Sequence, residues 1–164
     1  MSILLIITIL VLVVIDQLVK HWAVDVLQPF RTMDFIHFGN FRIINLTYLE
    51  NDGAIFGSMS GQRWFLVGFT SLVVVAAFVF MLMSLKRSKL LATSIMLFVA
   101  GGIGNLIDRI RFGYVVDMFE IKLFRFAIFN VADICVTIGF VLVFIYVFFI
   151  EPKIAKEKAE VKNE

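Results

Sequence analysis

Four long apolar runs limit what this chain can fold into. They cover about residues 3–24, 65–85, 90–107 and 127–150, and each is close to the roughly 20 residues that a helix needs to cross a bilayer core. The lipid core offers the backbone no hydrogen-bond partners, so only helices and closed barrels cross it, and uncharged continuous runs indicate helices. We therefore predict an all-α integral membrane protein with four transmembrane helices.

Composition supports this class and excludes several others. The chain of 164 residues is 61% hydrophobic and carries a formal net charge of only +2. Its basic residues form short clusters beside the apolar runs rather than a stripe, so nucleic acid is not an expected partner. The one cysteine, Cys135, lies inside an apolar run, and the two histidines are far apart in the chain. The sequence thus predicts no disulfide, no metal site and no cofactor.

The segments between the spans predict the remaining architecture. A mixed stretch at about residues 29–49 is typical of short strands broken at Gly39 and Asn40, which predicts a small extramembrane β-like subdomain between helices one and two. The turn at 86–89 and the charged tail at 151–164 are rich in lysine. Basic residues near helix ends favour the cytoplasmic side, so both termini are expected there, although the opposite side also carries basic residues over two longer segments. Residues 1–164 are expected to form a single domain.

Ionisable residues within the spans gather at one level of the predicted bundle. Such side chains are costly in lipid unless they face the bundle interior or water, so each is a functional candidate. If the first and third spans run outward and the fourth runs inward, residues 16–20, 105–117 and 130–133 all lie near the outer interface. Asn105 and Arg109 could simply pack helices. Asp133 is the hardest to explain by structure alone, because it lies inside an apolar span.

Two carboxylates held close in an apolar setting form an acid–base pair. Both cannot ionise easily, so the pair shares a proton. The ionised member can then activate a water for attack on a peptide carbonyl while the protonated member hydrogen-bonds the carbonyl oxygen. On this interpretation Asp117 and Asp133 form the pair, and the roles of base and acid stay unassigned.

Other functions remain open at this point. Serine hydrolysis is disfavoured because no Ser–His pair falls within the spans. Buried carboxylates with an arginine also occur in proton-coupled transport, so a small membrane carrier or channel is the alternative, and a structural membrane subunit is a third possibility. The polar groups stop near one face and leave no charged path through the spans, which favours hydrolysis.

Five motifs, taken together, resemble those of one known family. They are DQLVK at 16–20, NDGAIF at 51–56, GNLIDR at 104–109, VVD at 115–117 and FNVAD at 129–133. Each is weak alone, but their order and separation across nearly the whole chain are specific. In these motifs the sequence resembles lipoprotein signal peptidase, also called signal peptidase II.

The resemblance implies an activity, a location and a set of site residues. It implies a multi-pass aspartyl endopeptidase of the bacterial inner membrane that cuts lipid-modified prolipoproteins on the amino side of the diacylglyceryl-modified Cys, with its active site near the outer face. Asp117 and Asp133 would be the catalytic pair. The β segment would cradle the substrate, residues 111–125 would supply a mobile cover, and the protein would act as a monomer among membrane lipids. The supporting positions matched by motif are Asp16, Lys20, Asn51, Gly53, Asn105, Asp108, Arg109 and Asn130.

Overall fold

Four long helices dominate the computed structural model, which describes residues 2–39, 41–54 and 58–162. They are α1 (Ser2–Leu27), α2 (Arg63–Ser84), α3 (Lys89–Arg111) and α4 (Val131–Ile145). The fourth continues through a π-helical turn, Tyr146–Ile150, so that all four are long and apolar enough to cross a membrane. The predicted four-span class is confirmed.

The start of α4 differs from the sequence prediction. The apolar run begins at about residue 127, but the helix begins only at Val131. Phe129 is instead tied to a neighbouring strand, because its N–H donates to the carbonyl of Phe119 at 3.1 Å and its carbonyl accepts from Phe119 at 2.8 Å. Asn130 then caps the helix. Hydropathy does not separate an extended apolar stretch from a helix, which is why the predicted span started early.

The predicted charged tail is also partly regular. Helix α5 (Glu151–Lys162) continues directly from the π-helical turn. Arg87, in the turn between α2 and α3, forms an ion pair with Glu151 at its first position. The two basic segments expected on the cytoplasmic side therefore lie at the same end of the bundle.

A three-stranded antiparallel sheet lies beyond the other end of the spans. Its order is β1 (Thr32–Phe38), β2 (Phe41–Asn51) and β3 (Val115–Ile121). The first two strands confirm the β-like subdomain that the sequence predicted, with Gly39 at a positive φ of 57° in the turn. Asn40 in that turn, and residues 55–57 with the end of the NDGAIF motif, lie outside the described residues.

The segment at 111–125, which was expected to supply a mobile cover, contains strand β3. Val115 to Met118 are buried, and the strand pairs with β2 along its length, from Ile44 opposite Ile121 to Asn51 opposite Val115. Within this stretch the exposed apolar residues are Phe112 before the strand and Leu123 and Phe124 after it. The middle of the predicted cover is therefore part of the sheet, and it carries Asp117 into the interior.

Small residues let α3 approach its neighbours closely. A Cβ atom on Gly104 would lie 2.5 Å from Asp16 Oδ2 of α1, and one on Gly139 of α4 would lie 2.7 Å from the carbonyl oxygen of Ser94. Such contacts are the usual basis of helix association in lipid, where the hydrophobic effect between helices is absent. The close approach brings the polar residues of α1, α3 and α4 together.

Candidate active site

A buried ionic cluster joins α1 to α3. The Lys20 ammonium lies 2.9 Å from Asp16 Oδ2 and 3.0 Å from Asp108 Oδ2, and all three side chains are almost fully buried. Gln17 adds a hydrogen bond of 2.8 Å to Asp108 Oδ1. Lys20, one of the supporting positions matched by motif, is thus paired with two acids and does not extend to the interface. A buried charge is tolerated only when it is compensated in this way.

Asp16 and Asp108 also bind the backbone of α4 and β3. Asp16 Oδ1 accepts a hydrogen bond of 2.9 Å from the N–H of Ala132 in the first turn of α4. Asp108 Oδ2 accepts one of 3.2 Å from the N–H of Val116 in β3. The cluster thus fixes the backbone beside each of the predicted catalytic acids.

Asp117 projects from β3 and is 1% exposed. Its Oδ2 accepts a hydrogen bond of 2.9 Å from Asn51 Nδ2, and its Oδ1 accepts one of 2.7 Å from Asn130 Nδ2. The pKa of Asp117 is raised to about 7; burial is the largest cause, the charge of Asp133 adds to the rise, and the two asparagine hydrogen bonds oppose it. This carboxyl group is therefore close to half-protonated at neutral pH.

Asp133 lies in the first turn of α4 and is half-buried. It completes a capping box, in which its N–H donates to Asn130 Oδ1 at 2.9 Å while its own Oδ2 accepts from the Asn130 N–H at 3.2 Å. Its Oδ1 accepts a hydrogen bond of 2.7 Å from Asn105 Nδ2. The helix cap alone would explain an acid here, but it does not explain why α3 supplies a second donor.

The two acids meet at one residue. Asn130 is fully buried, and it contacts Asp117 through its side chain and Asp133 through both its side chain and its backbone. All ten residues that the sequence predicted for the site belong to one connected network, in which Gly53 is reached through Asn51 and through Arg109. Two carboxylates in this arrangement, one of them near half-protonation at neutral pH, can act as an acid–base pair.

A cavity of about 430 Å³ opens beside this network. Asp133 lines it, whereas Asp117 is not among the described lining residues. Its walls are largely apolar, and they include several residues that sequence analysis did not single out. The lining residues are Asn51, Ala54, Asn105, Arg109, Val115, Ile121, Phe126, Ala127, Ile128, Phe129, Asp133, Ile134, Val136, Thr137 and Ile138.

Arg109 connects the cavity to the loop after β2. Its Nη2 donates to the carbonyl oxygen of Gly53 at 2.8 Å, while its buried Nε has no partner among the described residues. Gly53 N donates in turn to Asn51 Oδ1 at 3.1 Å. Arg63 closes the end of α3 by donating to the carbonyls of Arg109 and Ile110 at 2.9 and 2.7 Å. The Arg109 side chain is therefore bonded to the loop after β2 and does not extend freely to the interface.

Sequence reasoning also missed two residues of the polar network. Gln17 contacts both acids of the ionic cluster, and Gly104 leaves the space that Asp16 occupies. Both lie within the recognised motifs, so their position was the available signal, but neither residue type indicates chemistry by itself. Among the described residues, no group of three or more His, Cys, Asp or Glu side chains is placed to hold a metal ion.

Fold and site together define an integral membrane protein with a polar, acid-containing site at one end of its helix bundle. Comparison with known proteins is more specific, because the sequence model of signal peptidase II matches residues 8–149. The chain belongs to the signal peptidase II family.

Individual relatives agree with this membership. The lipoprotein signal peptidase of Streptococcus thermophilus (strain CNRZ 1066) is 41% identical over 136 residues, which cover 83% of this chain and 86% of that protein. The lipoprotein signal peptidase of Lactococcus lactis subsp. lactis (strain IL1403) is also 41% identical, over 81% of this chain and 85% of that protein. A bacterial membrane enzyme solved by the in meso method superimposes with a TM-score of 0.77 at 28% identity, covering 89% of this chain and 93% of that one.

Proposed function

We propose that this protein removes the signal peptide from diacylglyceryl-modified prolipoproteins by cutting on the amino side of the lipidated Cys. The relatives named above are lipoprotein signal peptidases, and each match covers more than four-fifths of both chains, which supports the substrate class. The catalytic assignment has separate support. It depends on the convergence of Asp117 and Asp133, from β3 and α4, on Asn130 beside the cavity.

The proposed mechanism uses water as the nucleophile. The ionised carboxylate takes a proton from a water whose oxygen attacks the scissile carbonyl carbon, while the protonated carboxyl donates a hydrogen bond to the carbonyl oxygen. The tetrahedral intermediate then collapses. The C–N bond breaks, and the amine of the lipidated Cys leaves with a proton from the pair. No covalent intermediate with the protein is required.

The cavity walls fit a substrate that carries acyl chains. Ile134 and Ile138 line the cavity from α4 and are exposed on the helix surface, so an apolar chain can reach the site from the side of the bundle. The Nε of Arg109, which has no partner among the described residues, supplies a donor for a substrate carbonyl at the same wall.

The activity test compares two precursors. Purified protein in detergent is expected to cut a diacylglyceryl-modified prolipoprotein and to leave the unmodified precursor intact, because the apolar wall gains contacts only with the modified form. Cleavage is read by gel shift and the new N-terminus by mass spectrometry. If well-folded protein cuts neither precursor, the peptidase proposal fails, and acid-dependent proton flux across proteoliposomes would then favour the carrier.

We propose that both termini face the cytoplasm and that the site faces outward. In intact cells, a Lys86→Cys variant is expected to resist an impermeant thiol reagent, whereas a Gln28→Cys variant reacts, because the two positions lie at opposite ends of the bundle. Both variants are made with Cys135→Ala to remove the native thiol. The opposite labelling pattern would contradict this orientation.

A pH profile tests the protonated member of the pair. We expect kcat/KM to fall as pH rises through about 7, because Asp117, whose pKa is raised to about 7, then loses the proton that the mechanism uses. The hydrogen bond from Asn51 lowers this pKa. Asn51→Leu should therefore raise the pKa and move the basic limb to higher pH, even if the rate itself drops. A basic limb that stays in place or moves lower would contradict this role of Asp117.

A further inference from the structure

In Asn130 and Asn51 the side-chain amide cannot exchange the positions of its oxygen and nitrogen. Asn130 Oδ1 accepts from the backbone N–H of Asp133 at 2.9 Å, and Asn51 Oδ1 accepts from the N–H of Gly53 at 3.1 Å. A backbone N–H only donates, so each carbonyl oxygen is fixed and each amide nitrogen must point the other way. In both cases it points at Asp117.

Asn105 is different because side chains alone set its orientation. Its Oδ1 accepts from Lys20 Nζ at 3.0 Å and from Asn130 Nδ2 at 3.1 Å, and its Nδ2 donates to Asp133 Oδ1 at 2.7 Å. Exchange of the amide oxygen and nitrogen would set an oxygen against the carboxylate and an N–H₂ against the ammonium. Both contacts would be repulsive, so Lys20, together with the Asn130 amide, determines which end of Asn105 faces Asp133.

The Lys20 ammonium has three N–H groups, and the structure accounts for all of them. Two contact the carboxylates Asp16 and Asp108, and the third donates to Asn105. The first two contacts are sufficient to compensate the buried charges. A purely structural ion pair would not require the third contact, which points from the cluster toward the acid–base pair.

We propose that Lys20 is a positioning residue that acts through Asn105 to keep Asp133 as the ionised, proton-accepting member of the pair, which leaves Asp117 as the protonated member. A directed N–H donor favours the charged form of a carboxyl group over the neutral form. Asp117 also accepts two amide N–H groups, but its nearly complete burial opposes the charged form more strongly than they favour it. Asp133 also lines the cavity from which a water would approach, whereas Asp117 is 1% exposed. This inference rests on the proposed function, in which Asp117 is the protonated member, and it names the contacts that keep Asp133 in the opposite role.

Three charged side chains lie around Asp133, and that of Lys20 is paired with two acids of its own cluster. Arg109 approaches from α3 and Asp117 from β3, while the charge of Lys20 in α1 is opposed by two neighbouring acids of its own cluster. A bare charge effect of Lys20 on Asp133 is thus largely cancelled. The directed hydrogen bond through Asn105 remains.

The test must remove the Lys20 donor without changing the net charge of the cluster. The double variant Lys20→Met/Asp16→Asn does so, because it removes one positive and one negative charge and leaves Asp108 bonded to Gln17 and the N–H of Val116. With the lipidated precursor, kcat/KM is expected to fall off on the acid side at a pH about one unit higher than in the wild type. The variant should therefore lose roughly tenfold in kcat/KM at acid pH, and the loss should shrink toward neutral pH. Circular dichroism and thermal unfolding in detergent check the fold.

The hydrogen bonds from Lys20 to Asn105 and from Asn105 to Asp133 form a two-step relay, and Asn105→Leu tests its second step. Its acid limb should also move up, and adding Lys20→Met/Asp16→Asn to it should move the limb no further, because the path is already broken. A folded double variant with the wild-type limb, or shifts that add in the combined variant, would overturn the proposal and leave Lys20 purely structural. If the double variant does not fold, Asn105→Leu decides: an unmoved limb overturns the relay and a raised limb supports it. Absence of cleavage by the wild type would instead count against the proposed function.

Discussion

Replacing either Asp117 or Asp133 by Asn is expected to lower kcat by about a thousandfold or more while the protein still folds and inserts, since general acid–base groups typically contribute about 10²- to 10⁴-fold each. Asn keeps the shape of Asp, but it can neither take a proton from water nor release one. In the Asp117→Asn protein the new side chain would still accept the bond from one neighbouring amide, and in the Asp133→Asn protein it would keep part of the helix cap. Single-turnover cleavage of the lipidated precursor gives the rate directly.

An acid outside the network provides the matched control. Asp25, at the end of α1, is exposed. Among the described residues its one ion-pair partner is His21, which is also exposed. Asp25→Asn changes the protein charge by the same amount and should keep the wild-type rate. A folded Asp117→Asn or Asp133→Asn protein with a rate within tenfold of this control would contradict the two-acid mechanism.

The second large effect is expected at Gly101, where α3 touches α4. A Cβ atom at this position would overlap the carbonyl oxygen of Ala132 and lie 2.7 Å from Val136 Cγ2. Gly101→Ala must therefore push α4 outward, at a cost of about 1–3 kcal/mol in unfolding free energy. Asp133 follows Ala132 directly, and a misplacement of about 1 Å can cost roughly a hundredfold in rate. Thermal unfolding and cleavage rate measure the two effects.

Gly68 in α2 is the control for this substitution. Nothing lies within 4 Å of a Cβ atom built there, so Gly68→Ala should leave the rate unchanged and should not lower stability, because alanine favours the helix. If Gly101→Ala and Gly68→Ala behave alike, the close approach of α3 to α4 does not position Asp133.

Hydropathy was sufficient to predict the spans, because transfer into lipid is a local property of sequence. It failed at the start of α4, where residues 127–129 are as apolar as a helix but Phe129 bonds to β3. It also gave no sign of β3, since VVDMFEI is short and its pairing depends on the distant strand β2. Long-range pairing is decided by tertiary contacts that composition does not record.

The members of the polar network were predictable, but their arrangement was not. Polarity within and beside the spans indicated Asp117 and Asp133, and the motifs added the supporting positions. The partners of Lys20 depend on the approach of α3 to α1, which the absence of a side chain at Gly104 permits. The orientation of Asn105 depends in turn on Lys20. These contacts join residues far apart in the chain, so spacing along the sequence does not reveal them.

The central claim is that Asp117 and Asp133 together act on the scissile bond of a lipidated precursor. The most direct measurement is a crystal structure of the Asp133→Asn protein with an intact diacylglyceryl-modified precursor bound. We predict that the scissile carbonyl lies between residues 117 and 133, within about 3–4 Å of each side chain directly or through one water, with the acyl chains along Ile134 and Ile138. A precursor bound with its scissile carbonyl more than about 8 Å from both side chains would contradict the account.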